Sequence, residues 1–190
     1  MSSFISSSPK PVSSTTSKNS GPRPPRKPSK RINNVRFRVL TVGKGQAAFL
    51  APAWQEYRQR LDRSFPTQWL EIPETPLRKG TDPDAAMRQE GERILEKLAS
   101  SGPVVLFDRQ GKGIDSVALA EQIGRWRDGG IREVSWIIGG PNGVDGAVAA
   151  RADLSLSFGP ITLPHPLMRV VLAEQLYRAS TILRGEPYHR

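Results

Sequence analysis

The chain has 190 residues and a net charge of +10, enough length for one domain with a sizeable core. It contains no cysteine, which excludes disulfides, thiolate metal sites and a thiol nucleophile and suits a reducing, cytoplasmic setting. Two histidines argue against a histidine-based metal site, so no metal is expected, and no apolar run approaches the roughly 18 residues of a membrane span.

The charge is unevenly placed. Residues 1–38 hold nine Lys and Arg and no acid, leaving 19 cations against 18 anions in the remainder. Residues 1–34 are rich in Ser, Pro, Lys and Arg with few apolar side chains, so a disordered basic tail is expected. Such a tail fits a polyanion partner, because it gains affinity by releasing counterions from phosphates. A solvated solubility tail is the alternative. A transit peptide ranks behind both, since Pro22, Pro24, Pro25 and Pro28 would break the amphipathic helix it needs.

From Val35 the pattern alternates. Val35–Val42 reads as a strand closed by Gly43, Lys44 and Gly45, and Ala47–Arg63 has the apolar spacing of a helix. Gln68–Ile72 is a second strand. Asp82 and Pro83 open a second helix, with Gly102 expected to end it. Val104–Phe107 is a third strand followed by a turn at Asp108–Gly113, and Ser116–Asp128 a third helix. Glu133–Ile138 and Leu154–Phe158 are two more strands. A last helix covers about Leu167–Leu183, with Gly185 as its stop. This alternation predicts an α/β domain whose mostly parallel sheet has helices on both faces.

In such sheets ligands sit beyond the carboxyl ends of the strands, which directs attention to four loops. The run from Gly139 to Gly146 is dense in glycine and lets a ligand approach the backbone. Its spacing is neither a Walker A loop nor a dinucleotide fingerprint, and a purely structural turn would explain it equally well. Asp108–Gly113 is either part of the same crevice or a flexible charged loop. Gly43-Lys44-Gly45 is a weak phosphate signal. Phe158, Gly159, Pro160, Ile161, Thr162 and Leu163 form an unusually apolar loop, which is expected to pack against a partner chain or a ligand. Pro164 and Pro166 place His165 at the mouth of the last helix.

In that helix Leu167, Val170, Val171, Leu172, Leu176, Ile182 and Leu183 cover a broad apolar surface, expected to be a dimer interface or a deeply buried core. Glu174 and Arg178 are four apart, the spacing of a surface ion pair worth about 0.3–0.5 kcal/mol.

The segments IIGGPNGVDG (137–146), LSFGPITLPHPLMRVVLAEQLYRA (156–179) and PYHR (187–190) resemble the bacterial RlmH family of ribosomal-RNA large-subunit methyltransferases, in the SPOUT (trefoil-knot) superfamily. The likeness runs from about Val35 to Arg190, which then form one SPOUT domain. The resemblance implies a C-terminal knot and a homodimer. It also implies use of S-adenosyl-L-methionine to methylate N3 of a pseudouridine in the helix 69 loop of 23S rRNA, within the assembled 70S ribosome. Carried onto this chain, the cofactor positions are Phe107, Gly139, Phe158, Gly159, Pro160, Ile161, Thr162 and Leu163. His165, Arg178, Tyr188, His189 and Arg190 are candidates for holding the target base or moving its proton, and none is singled out. The rival readings are a non-enzymatic ribosome-binding or assembly factor of the same fold and a nucleotide-dependent oxidoreductase.

Overall fold

The computed structural model describes residues 34–44, 47–77, 80 and 82–189. The basic tail, Gly45 and Arg190 lie outside them. Five strands and five α-helices follow one another: β1 (Arg36–Val42), α1 (Ala51–Ser64), β2 (Thr67–Ile72), α2 (Pro83–Lys97), β3 (Val104–Gly113), α3 (Ser116–Asp128), β4 (Glu133–Ile138), α4 (Gly146–Arg151), β5 (Leu154–Ser157) and α5 (His165–Arg184). The strands form one sheet in the order β2-β1-β4-β3-β5, and each of these neighbouring pairs is parallel. All strand ends of one polarity therefore lie together.

Period-two alternation sorts the side chains into two cores. Phe37, Val39, Val105, Phe107, Val134, Trp136 and Ile138 face the layer containing Leu61, Leu119, Ile123, Leu172 and Leu176 from α1, α3 and α5. Leu40, Val42, Val104, Leu106 and Ile137 face Ile94 of α2 and Val148 of α4. Trp136 anchors the first core, with ring centroids 5.4 Å from Phe37, 5.9 Å from Trp126 and 6.0 Å from Phe107. Such aromatic pairs each contribute about 0.5–1.5 kcal/mol beyond the area they bury.

Local chemistry explains where the elements stop and start, and corrects several expectations. The first helix does not run from Ala47: a 3-10 turn at Ala48–Leu50 precedes α1, because Pro52 lacks an N–H and suits only a first turn. Asp82 caps α2, its Oδ1 accepting from Asp84 N at 3.0 Å. That helix ends at Lys97 rather than at Gly102. Gly102 serves a close approach instead. Its φ is +100°, and a Cβ there would lie 2.1 Å from the Glu133 carbonyl oxygen.

The expected turn at Asp108–Gly113 is instead the second half of β3. The strand pairs with β5 through Phe107, bulges outward, and pairs again through Lys112 and Gly113. Asp108 Oδ1 stabilises the bulge by accepting from Gln110 N at 2.8 Å. Gly111 is required where the chain returns, since a Cβ would sit 2.7 Å from the Leu156 backbone. The short α4 is an addition to the expected elements; Asp145 caps it through Ala147 N at 2.9 Å.

Helix α5 begins at His165, with Pro166 in its first turn, and ends at Gly185 in the left-handed region at φ +70°. Part of its apolar surface is buried core, while Leu167, Val171, Ile182 and Leu183 remain partly exposed. Leu172, Ala173, Leu176 and Ala179 are fully buried within this one chain, and Leu172, Leu176 and Ala179 pack in the cluster that holds Leu61, Leu119 and Ile123. Gly124 of α3 allows the close approach, since a Cβ there would already lie 3.1 Å from Leu183 Cδ2.

Candidate active site

The carboxyl ends of β3, β4 and β5 open into a cavity of about 430 Å³, within the size range of small-molecule sites. Phe107 and Ile138 form its floor, the turn from Gly139 to Val144 one wall, and the loop after β5 another. Of the eight residues singled out in the sequence, seven line this cavity: Phe107, Gly139, Phe158, Gly159, Ile161, Thr162 and Leu163. Pro160 is exposed and stands outside the lining. Asp108, Arg109 and Gln110 also line it, because the bulge turns that part of β3 across the mouth.

Each wall has a local cause. Gly140 and Gly143 exchange backbone hydrogen bonds of 3.0 and 2.9 Å, folding the turn back on itself. A Cβ on Gly139 would lie 2.6 Å from Val144 Cγ1, and one on Gly140 would lie 2.9 Å from Glu90 Oε2. At Gly139 the Gly143 carbonyl oxygen would also lie 2.9 Å away, so that position demands glycine. The apolar loop is held by Phe158 stacking on Phe107 at 4.7 Å. Ser157 Oγ donates to Gly159 O at 2.8 Å and accepts from Gly159 N at 3.1 Å, while Gly159 takes a φ of +124°. Among the described residues no hydrogen bond engages the backbone of Ile161, Thr162 or Leu163, so their N–H and C=O groups are available to a ligand.

His165 also lines the cavity, and its Nδ1 is buried without a hydrogen-bond partner. Burial lowers its pKa from the ordinary imidazole value, the Arg169 charge lowers it further, and Glu74 and Glu90 only partly offset the two. The ring is therefore neutral near pH 7. Arg169 is not among the candidates that the sequence supplies. It is only 4% exposed, and its guanidinium donates to Glu71 Oε1 at 2.8 Å and to the Gly43 carbonyl at 2.5 Å. It ties the first turn of α5 to β2 and to the end of β1. Gly43 does not line the cavity, and its carbonyl accepts from Arg169.

The other candidates gather elsewhere. Arg178 donates to Glu174 Oε1 through Nε at 2.9 Å and Nη2 at 2.6 Å, Tyr188 donates to the same oxygen at 3.1 Å, and His189 Nδ1 lies 3.5 Å from Arg178 Nη1. Tyr188 packs edge-on against Tyr177 at 5.0 Å. Burial raises its phenol pKa, with neighbouring Tyr57 and the Glu174 charge adding to the rise, so the hydroxyl stays protonated and acts as a donor. Arg190 lies outside the described residues. Thirteen residues of α5 separate His165 from Arg178, about 20 Å at roughly 1.5 Å per residue. The two groups of candidate residues thus stand apart along one helix.

A family model described as predicted SPOUT methyltransferase matches residues 35–189. The chain belongs to the SPOUT methyltransferase family. It is therefore a methyltransferase, which removes the oxidoreductase alternative. Over 156 residues it is 44% identical to the ribosomal RNA large subunit methyltransferase H of Hahella chejuensis, covering 82% of this chain and 99% of that protein. It is 40% identical to the protein of the same name from Marinomonas sp., covering 82% of this chain and all of that protein. These full-length relatives span the SPOUT methyltransferase region without needing a counterpart of the basic tail.

Proposed function

We propose that this SPOUT methyltransferase uses S-adenosyl-L-methionine to methylate N3 of a pseudouridine in 23S rRNA, in the helix 69 loop of the assembled ribosome, and so works in the cytoplasm. The likeness to proteins named ribosomal RNA large subunit methyltransferase H over nearly their whole length supports the substrate class. The observation that carries the cofactor reading is the cavity itself. Seven of the eight positions suggested by the family resemblance meet there, beside a tight turn in which a Cβ on Gly139 would collide with Val144 and the Gly143 backbone.

When bound, S-adenosyl-L-methionine supplies a methyl group made electrophilic by its sulfonium. The protein's work is binding, alignment and proton management. Phe107 and Phe158 give apolar faces, and the free backbone groups of Ile161–Leu163 give the hydrogen bonds that an adenine edge needs. His165, neutral and with an unpartnered buried nitrogen, is the group at the crevice able to accept the proton that leaves N3. Arg178, Tyr188 and His189, with Arg190, hold the target base and its phosphates.

Since His165 and Arg178 stand about 20 Å apart on one rigid helix, a complete site needs the tail of a second copy over the crevice of the first. A homodimer follows, and we take the C-terminal segment to be knotted as in the family. The test is direct. Purified protein, unmethylated 70S ribosomes and labelled S-adenosyl-L-methionine should yield one methylated pseudouridine in the helix 69 loop, located by mass spectrometry. No label in 23S rRNA, or label at another base, would overturn the assignment.

A further inference from the structure

At the opposite end of the sheet from the crevice, three arginines from three elements meet around a second cavity of about 520 Å³. Arg36 opens β1, Arg132 immediately precedes β4, and Arg127 lies in the last turn of α3. Arg36 N donates to Arg132 O at 2.8 Å, so the two strand arginines are direct neighbours. Both are exposed, and neither makes an ion pair among the described residues. The acids nearby are already engaged: Glu133 by Arg38 Nε at 2.8 Å and Asp128 by Arg127 Nε at 3.0 Å. The Arg127 side chain is 14% exposed, and its Nη1 is buried with no hydrogen-bond partner.

Capping the carboxyl end of α3 explains an arginine at 127. It does not explain Arg36 and Arg132, which lie off that helix, or the unmatched donor. Chain connectivity adds a further observation. Residues 1–33 contain seven Lys and Arg and no acid, and they enter the fold at Asn34, which lines this same cavity.

We propose that this end of the sheet is a second contact for the RNA backbone, with Arg36, Arg127 and Arg132 taking phosphate oxygens. The proposal rests on the reading of ribosomal RNA as the substrate. Glu133 and Ile138 stand at the two ends of β4, five steps or roughly 17 Å apart at about 3.3 Å each. The phosphates bound here therefore lie well away from the methylated base along the RNA. Contacts of this kind set register and affinity without reading or reacting with a base. They would also add phosphate contacts to a body of nearly balanced charge, at the edge where the chain enters from its basic segment.

The full-length protein decides the matter in three forms: wild type, Arg36→Gln/Arg132→Gln, and the triple variant that adds Arg127→Gln. Methyl transfer to 70S ribosomes is measured against salt, alongside cofactor affinity by calorimetry and the thermal midpoint. The double variant should raise the KM for ribosomes about tenfold with kcat and cofactor affinity unchanged, and its salt slope should be shallower by roughly 1.5–2. Equal KM and equal salt slope in wild type and double variant would overturn the proposal, while leaving the assigned reaction intact. Binding of inorganic phosphate by the wild type alone, with ribosome KM unchanged, would overturn it in favour of a free-anion site. Should the half-buried Arg127 prove necessary for folding, the double variant on exposed side chains still gives the answer. A wild type that methylates no ribosome would remove the assigned reaction and this proposal together.

Discussion

Arg178 and Tyr188 share a single carboxylate oxygen, Glu174 Oε1, while the Arg178 guanidinium carbon sits 4.6 Å from the Tyr188 ring centroid. This is more than the exposed pair that the i,i+4 spacing alone predicts. The tail is docked by a charge-assisted triad, and Glu174 is its hub. Glu174→Ala should release Tyr188 and His189 and cut methyl transfer about 10–100-fold, the equivalent of one charged hydrogen bond. Cofactor affinity should stay within about twofold. Turnover equal to wild type would show that the docked tail is not needed.

Deleting Tyr188–Arg190 carries the same logic further. Cofactor binding, followed by calorimetry, should be nearly intact, while methyl transfer is abolished. A collapse of cofactor affinity would contradict the division of labour between crevice and tail.

The glycine turn offers a matched comparison. Gly139→Ala places a methyl 2.6 Å from Val144 Cγ1 and should lower cofactor affinity at least about tenfold, in line with overpacking costs of roughly 1–3 kcal/mol. Gly146→Ala meets nothing within 4 Å at the start of α4. It should be tolerated, or even stabilise by up to about 1 kcal/mol. Equal effects from the two substitutions would mean that the turn is not a fitted cradle.

His165 sets a pH dependence whose sign follows from its environment. Its folded pKa is lowered, chiefly by burial, so the unfolded chain takes up the proton first as pH falls. The stability associated with the neutral ring is present above about pH 6.5 and is lost as pH falls below that value toward the folded pKa. His165→Gln should therefore close its stability gap to wild type as pH drops from 7.5 to about 5.5, read from thermal midpoints. An NMR titration of the wild type should place His165 below free imidazole. A midpoint above it would contradict the burial argument.

Arg169 supplies a purely structural test. Arg169→Lys keeps the charge, but one ammonium cannot span Glu71 and the Gly43 carbonyl as the planar fork does. A loss of about 1–3 kcal/mol in urea denaturation is expected. A lysine variant as stable as wild type would mean that the fork contributes nothing.

Several features can be read directly from local sequence. The alternation of Phe37 and Val39 against Leu40 and Val42 places β1 between two layers, Asp82 and Gly185 mark helix ends by their own conformational preferences, and the segment after Phe107 meets the loops after β4 and β5 in the crevice. What escapes depends on residues distant in sequence. Gly102 answers to the Glu133 carbonyl and Gly111 to the Leu156 backbone, so neither glycine's demand is visible locally. Six residues of α4 are too few to show a helical period. Arg169 does carry a signal: it stands three positions before Leu172 and seven before Leu176, on the stripe that faces inward. A charged group there implies a waiting partner.

The stiffness of α5 reaches into enzyme kinetics. A strut that holds the crevice and the docked tail apart cannot bend to bring them together, so in the proposed homodimer output would depend on encounters between chains. At subunit concentrations below the dimerisation constant, methyl transfer should rise with the square of protein concentration. Halving the protein in that regime would then cut the rate of methyl transfer about fourfold.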